Sequence, residues 1–243
     1  MIKYNLEDFF TAVNYDWKKD SDVIEEICRL TKTRIKNPVP DKILSGGMEQ
    51  VFFLKACTDY FKPKNILEIG TGRGTGSFAM ALTDSVENIH TVDIIPHTEK
   101  QYTAIGYEAA NASVSDLNRL IKGEEKEKIT FYERHPYEVI NKNTPPEIDF
   151  AFIDGEHTNK DVIKSDFELC KRVLDKNGVI VWDDYDENKD EYQVKNVIAD
   201  IREEYDVEVF LVQFRNHLFG DNPEKDSGEI VMFKKGLYEN LAK

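Results

Sequence analysis

Cysteine is scarce in this 243-residue chain: Cys28, Cys57 and Cys170 are all there are, an odd count. There is no CxxC pair and no Cys/His cluster, which excludes a zinc framework. The three thiols fall in stretches of helical pattern and are expected to be small buried hydrophobes in a reducing compartment. No apolar run approaches the ~18 residues that a membrane span needs. The first residues, Met1-Ile-Lys-Tyr-Asn-Leu-Glu-Asp, are too polar and too acidic for a signal peptide, so a cytoplasmic location is expected. Internal repeats and low-complexity segments are also lacking. Basic residues are outnumbered, 32 Lys and Arg against 46 Asp and Glu, for a formal net charge of -14. A surface of that sign repels phosphate backbones and anionic lipid, so no nucleic acid and no membrane are expected as partners.

What is present fits one α/β domain with a short N-terminal appendage. Over residues 5–35, Leu6, Phe9, Phe10 and Val13, then Val23, Ile24, Ile27 and Leu30, recur at helical spacing and predict two short helices. Asn37-Pro38-Val39-Pro40-Asp41 breaks the pattern, which sets a helical appendage or lid over residues 1–44 and the main domain over 45–243. A helix is expected over Met48–Tyr60, stopped by Lys62-Pro63-Lys64. Strands and helices then alternate, the signature of a parallel sheet covered on both faces. The expected strands are Asn65–Ile69, Asn88–Val92, Ile129–Tyr132, Ile148–Ile153, Val179–Trp182, Val207–Phe214 and Ile230–Lys234. Helices are expected at about 159–174 and 190–204. The last two strands are joined without a helical pattern, which predicts an antiparallel edge pair.

Ile66-Leu67-Glu68-Ile69-Gly70-Thr71-Gly72-Arg73-Gly74-Thr75-Gly76 is a buried strand running into a glycine-rich turn. Alternate glycines let the backbone take positive φ and approach a ligand closely. The following helix offers unpaired N–H groups to that ligand. Asp93, followed by Ile94, ends the next strand, nineteen residues after Gly74, where a carboxylate can accept both hydroxyls of a ribose. The dinucleotide fingerprint fails here. Begun at Gly70 it meets Thr75, and begun at Gly72 it meets Ser77.

Asp154 ends the fourth expected strand, and Asp183 and Asp184 end the fifth. Adjacent parallel strands lie about 5 Å apart, so the three carboxylates would converge at the sheet edge where ligands bind in such folds. Like charges in a partly dry site call for a divalent cation, and all-oxygen ligands select Mg2+ or a similar hard ion. His157 is placed to take a proton near neutral pH, although Thr158 and Asp161 form a capping-box pattern that would give it a packing role instead. Glu156 and His217 are expected to be solvated. Trp182 and Tyr185 are equally suited to packing or to an aromatic wall.

The spacing Glu-x-Gly-x-Gly-x-Gly resembles motif I of the class I S-adenosylmethionine-dependent methyltransferases, over roughly residues 45–235. The resemblance implies a Rossmann-like, seven-stranded, mostly parallel sheet with an antiparallel edge strand and helices on both faces. It implies cofactor contacts at Glu68, Gly70, Thr71, Gly72, Gly74, Asp93, Ile94 and Asp154, with Glu68 near the amino-acid end of the cationic cofactor. Glu133-Arg134-His135 departs from the acid that many relatives place at adenine. Asp154 with Asp183 and Asp184, 29 residues on, resembles the metal ligands of the catechol and caffeoyl-CoA O-methyltransferases. His157 resembles the base of the macrolide-sugar branch. The function implied is S-adenosylmethionine-dependent O-methylation of a small-molecule hydroxyl acceptor, sugar-bearing or polyhydroxylated, with Mg2+ as an assisting cofactor. A homo-oligomer is compatible with the chain. The rivals are a metal-independent methyltransferase and a binding module without chemistry. Residues 96–127, longer than a minimal connection, are expected to form a substrate lid with the N-terminal helices.

Overall fold

In the computed structural model the described residues are 1–31, 49–98, 118, 121–133, 135–140, 147–215, 217–219, 222–238 and 241. The linker expected at Asn37–Asp41, the boundary at 44/45, Arg134 and most of the segment 96–127 lie outside them.

The apolar runs form the strands. β2 (Asn65–Ile69) pairs in parallel with β3 (Asn88–Asp93) on one side and with β5 (Ile148–Ile153) on the other. Side chains alternate faces: Ile66, Phe150 and Phe152 enter one core, while Leu67, Ile69, Ala151 and Ile153 enter the other. Each fully buried Phe or Ile contributes roughly 1.5–3 kcal/mol. α1 (Leu6–Ala12), α2 (Trp17–Leu30), α3 (Glu49–Phe61) and α4 (Thr75–Ala81) supply the first core. The second is covered by α6 (Lys160–Val173) and α7 (Val194–Glu204), with the short α5 (Pro136–Val139) at its margin.

With β1 (Ile2–Asn5), β4 (Ile129–Glu133), β6 (Leu174–Asp186), β7 (Val207–Gln213) and β8 (Ser227–Lys234), the sheet has the order β1-β7-β8-β6-β5-β2-β3-β4. From β2 the chain winds outward through β3 and β4, then returns to the other side of β2 as β5. The crevice between the carboxyl ends of β2 and β5 is therefore the topological switch point, where ligands bind in open α/β sheets.

The expected reversed pair is β7 and β8, with β8 antiparallel to both β6 and β7. The sheet nevertheless has eight strands rather than seven. The addition is β1, parallel to β7 with Tyr4 opposite Val212, which makes β1 the edge strand; the reversed strand β8 lies inside, between β6 and β7. Residues that read only as helical thus begin with a strand. Asn5 ends it and caps α1, its side chain accepting from the Asp8 amide at 2.8 Å. Leu6, Phe9 and Ile24 are buried in the same core as Phe210 and Val212. Cys28, Cys57 and Cys170 are buried free thiols, and burial pushes Cys28 up to about 12. Among the described residues no helix is long and apolar enough to cross a membrane.

Candidate active site

The β2 strand delivers the glycine turn to the switch point. Gly70, Gly72 and Gly74 all have positive φ, at 92°, 52° and 78°. At Gly70 the need is steric: a Cβ there would lie 1.9 Å from the Asp154 carbonyl oxygen. The two strand tips touch through this glycine, and the Asp154 amide donates to Ile69 O at 2.8 Å. At Gly72 a Cβ would meet nothing within 4 Å, so the turn opens to free space there. Asp93 folds back on the turn. Its Oδ2 accepts from the amides of Thr71 and Gly72 at 3.0 and 3.1 Å, and its Oδ1 from Ile95 N at 2.8 Å. Ile94 and Ile95 beside it are exposed, an unusual placement for two large apolar side chains.

Glu68 is buried beneath the turn and accepts the Ser77 hydroxyl. Burial pushes its carboxyl up to about 7, against the opposing pull of Ser77 and Thr91. From Thr91 a hydrogen-bonded chain continues to Thr71 Oγ1 at 2.6 Å and on to His97 Nε2 at 3.2 Å. His97 is buried, its ring edge-on to Phe131, and burial lowers its basicity. Its role in holding the turn had no signal in the sequence beyond lying four residues after Asp93.

Across the crevice β6 carries a bulge. Trp182 pairs with Ile230 and Tyr185 with Gly228, so Asp183 and Asp184 on β6 stand opposite the single residue Glu229 on β8. Asp184 takes a left-handed φ of 58°. The bulge turns both acids toward Asp154, and one oxygen from each of Asp154, Asp183 and Asp184 lies within 4.8 Å of the others. Burial raises Asp154 well above the usual carboxylate range, with further contributions from Asp183 and Asp184. Asp184 is pushed up to about 6 by burial and Asp183, opposed by Arg215 and His157. His157 Nδ1 lies 3.3 Å from Asp184 Oδ2, and Arg215 donates to Asp184 Oδ1 at 3.1 Å. The His157 ring packs on Tyr192 with centroids 4.6 Å apart.

Three further polar residues at this cluster escape sequence reasoning. Gln50, at the start of α3, donates to Asp183 Oδ2 at 2.8 Å and to Glu229 Oε1 at 2.9 Å. Glu229 is fully buried and raised well above its ordinary range by burial and by Asp183. Arg215 follows β7. Only Glu229 left a legible signal, as the lone acid at the head of the apolar run Ile230–Phe233.

One expectation needs correction, and the structure adds detail to others. The cap of α6 is Asn159, whose side chain accepts from Asp161 N at 3.1 Å, rather than Thr158. Glu156 is partly exposed and bonded within its own turn. Its Oε1 takes the Thr158 amide and hydroxyl, both at 2.6 Å, and those bonds lower its carboxyl to about 2. Trp182 is core, stacked on Phe167, and Tyr185 donates to Glu187 at 3.2 Å. His217 is bonded to Glu224 O at 3.3 Å.

A sheet wound from β2 and β5, a glycine turn at their junction and an acid ending β3 define the class I fold of the S-adenosylmethionine-dependent methyltransferases. Residues 67–185, just under half of the chain, match a family model described as a methyltransferase domain. The chain resembles the O-methyltransferase TomG of Streptomyces achromogenes, involved in tomaymycin synthesis and solved in complex with SAM (TM-score 0.56, 16% identity, 88% and 89% of the two chains). It also resembles an O-methyltransferase from Bacillus cereus in complex with SAH (0.55, 18%, 88% and 94%) and the SAH-bound methyltransferase PaMTH1 of Podospora anserina (0.55, 20%, 88% and 88%). At these identities the likeness is one of fold. Protein R132 of Acanthamoeba polyphaga mimivirus is 28% identical over 144 residues, 56% of this chain. The chain spans 60% of that relative's length.

Proposed function

We propose that the protein is an S-adenosylmethionine-dependent O-methyltransferase acting on a hydroxyl of a small sugar-bearing or polyhydroxylated molecule, assisted by a divalent cation. The observation that carries this reading is the contact between Gly70 and Asp154, which sets the cofactor turn directly against the acid cluster. S-adenosylmethionine, when bound, supplies a sulfonium methyl: the acceptor oxygen forms the new O–C bond as the S–C bond breaks. Glu68 would face the cationic amino-acid end, Asp93 the ribose and Ile94 the base, while Gly72 leaves room for close approach. Three carboxylates converging at one sheet edge form an oxygen donor set that suits Mg2+, and Asp154, Asp183 and Asp184 would hold it. The ion, when bound, supplies Lewis-acid stabilisation of the developing alkoxide. His157 takes the hydroxyl proton at Nε2, its Nδ1 being directed at Asp184.

One observation favours a metal-independent enzyme: Arg215 and Gln50 already neutralise or bond Asp184 and Asp183. A panel of hydroxylated acceptors, scored by S-adenosylhomocysteine release with Mg2+ and with EDTA, separates the readings. Release with Mg2+ that stops in EDTA supports the proposal. Release unaffected by EDTA transfers support to the metal-independent reading, and cofactor binding without release on any acceptor supports a binding module. The unpaired buried thiols and acidic charge favour a cytoplasmic protein without nucleic-acid or membrane partners.

A further inference from the structure

Arg215 is the cation nearest Asp184, and its place is partly enclosed, with 26% of the side chain exposed. One guanidinium nitrogen lies 3.1 Å from Asp184 Oδ1 and the other 3.8 Å from Glu224. Asp183, Asp184, Glu224 and Glu229 all act on it, so it is the positive partner of a dense group of acids. The other oxygen of Asp184 faces His157 Nδ1 at 3.3 Å. Both oxygens of Asp184 are therefore engaged by side chains of the protein itself. A carboxylate oxygen that ligates a hard divalent ion must turn a lone pair to it at about 2.1 Å. A fixed guanidinium on the same carboxylate opposes that ion: two unit positive charges about 4 Å apart at an effective dielectric of about 20 repel by a factor on the order of 1,000 in affinity.

We propose that Arg215 is a resident counter-cation that competes with a divalent ion for Asp184 and keeps the site's metal affinity low. The proposal rests on the reading of Asp154, Asp183 and Asp184 as a cation site. Its logic has two sides. With the ion absent, Arg215 offsets the mutual repulsion of the acids. With the ion present, Arg215 loses its bond to Asp184 and adds repulsion. Removing its charge destabilises the first state and relieves the second, and both changes tighten metal binding.

The test is calorimetric titration of the full chain with Mn2+, without acceptor. Arg215→Gln is expected to tighten Mn2+ binding at least tenfold over wild type, while Arg215→Lys, which keeps the charge, stays within about threefold. Equal or weaker binding by Arg215→Gln overturns the proposal. The wild-type protein gives a second measurement that no folding defect can spoil: the Arg215 side-chain N–H signal, assigned by its loss in Arg215→Lys, should shift as Mg2+ saturates the site. A signal unmoved by saturating Mg2+ overturns it as well. Asp154→Asn keeps the two levels apart. Mn2+ binding that survives Asp154→Asn undermines the cation-site reading itself, whereas binding lost in Asp154→Asn yet unchanged in Arg215→Gln leaves that reading intact and ends only the role of Arg215.

Discussion

His157 Nδ1 stands 3.3 Å from Asp184 Oδ2, although 27 positions, the helix α6 and most of β6 separate them. The carboxylate holds one ring nitrogen and so leaves the other for a proton from outside. A base oriented by a third group is the arrangement general-base catalysis requires. His157→Gln is expected to lower methyl transfer by about 10²–10⁴-fold. Cofactor affinity by calorimetry should stay within about twofold of wild type. A large loss of cofactor affinity would instead mark His157 as part of the binding site.

Gly70 and Gly72 share a left-handed backbone but face different neighbours, and their alanine variants should part company. Gly70→Ala drives a methyl onto the Asp154 carbonyl and should cost about 3 kcal/mol or more, visible as a fall in melting temperature. Gly72→Ala meets open space and should cost only about 1–2 kcal/mol of backbone strain. Its S-adenosylmethionine affinity should nevertheless drop at least tenfold, because the new methyl occupies the cofactor's approach.

Glu68 supplies a pH dependence for cofactor binding. Burial holds its carboxyl at about 7 in the free protein, and a cationic ligand favours the ionised form. Below pH 7 each bound cofactor must displace a proton, so affinity should fall by up to about tenfold per pH unit from pH 7 to 5 and level off above 7. Glu68→Gln should bind more weakly and show a flat profile over that range. Calorimetry at four pH values decides it.

Asp166 on α6 is buried, and burial together with Glu156 pushes its carboxyl up to about 7. A folded-state pKa above the unfolded value means the native state holds the proton more tightly. Stability should therefore fall as pH rises from about 4 to about 7. Asp166→Asn removes that loss. Urea unfolding should show the variant more stable than wild type by on the order of 2–4 kcal/mol at pH 8, with the gap closed near pH 4. An equal gap at both pH values would assign the effect to packing.

Local patterns made most of the fold legible. Ile148–Ile153 and Asn65–Ile69 are apolar runs bounded by polar or turn residues, and their expected limits coincide with β5 and β2. The short β1 escaped because four residues, Ile2-Lys-Tyr-Asn, carry too little periodicity, and their partners around Val212 lie some two hundred positions away. At the site, Glu68, the glycines, Asp93 and the three acids stood out because each lies at or near the carboxyl end of an expected strand, although Asp183 and Asp184 sit at a bulge within β6 rather than at its end. Gln50, His97 and Arg215 were not, since a polar residue near a helix start or after a strand has no spacing to give it away.

The sequence by itself determined which side chains could do chemistry here, through alternation that sets the strands and glycines that only a tight turn requires. Tertiary structure decided the partnerships: a bulge that sets two acids against Glu229, a carboxylate shared by His157 and Arg215, and a glycine pressed on Asp154. The physical reason is range. Backbone preference and hydrophobic period act over a few residues, whereas charge pairing and steric contact depend on distances that exist only once the sheet has closed.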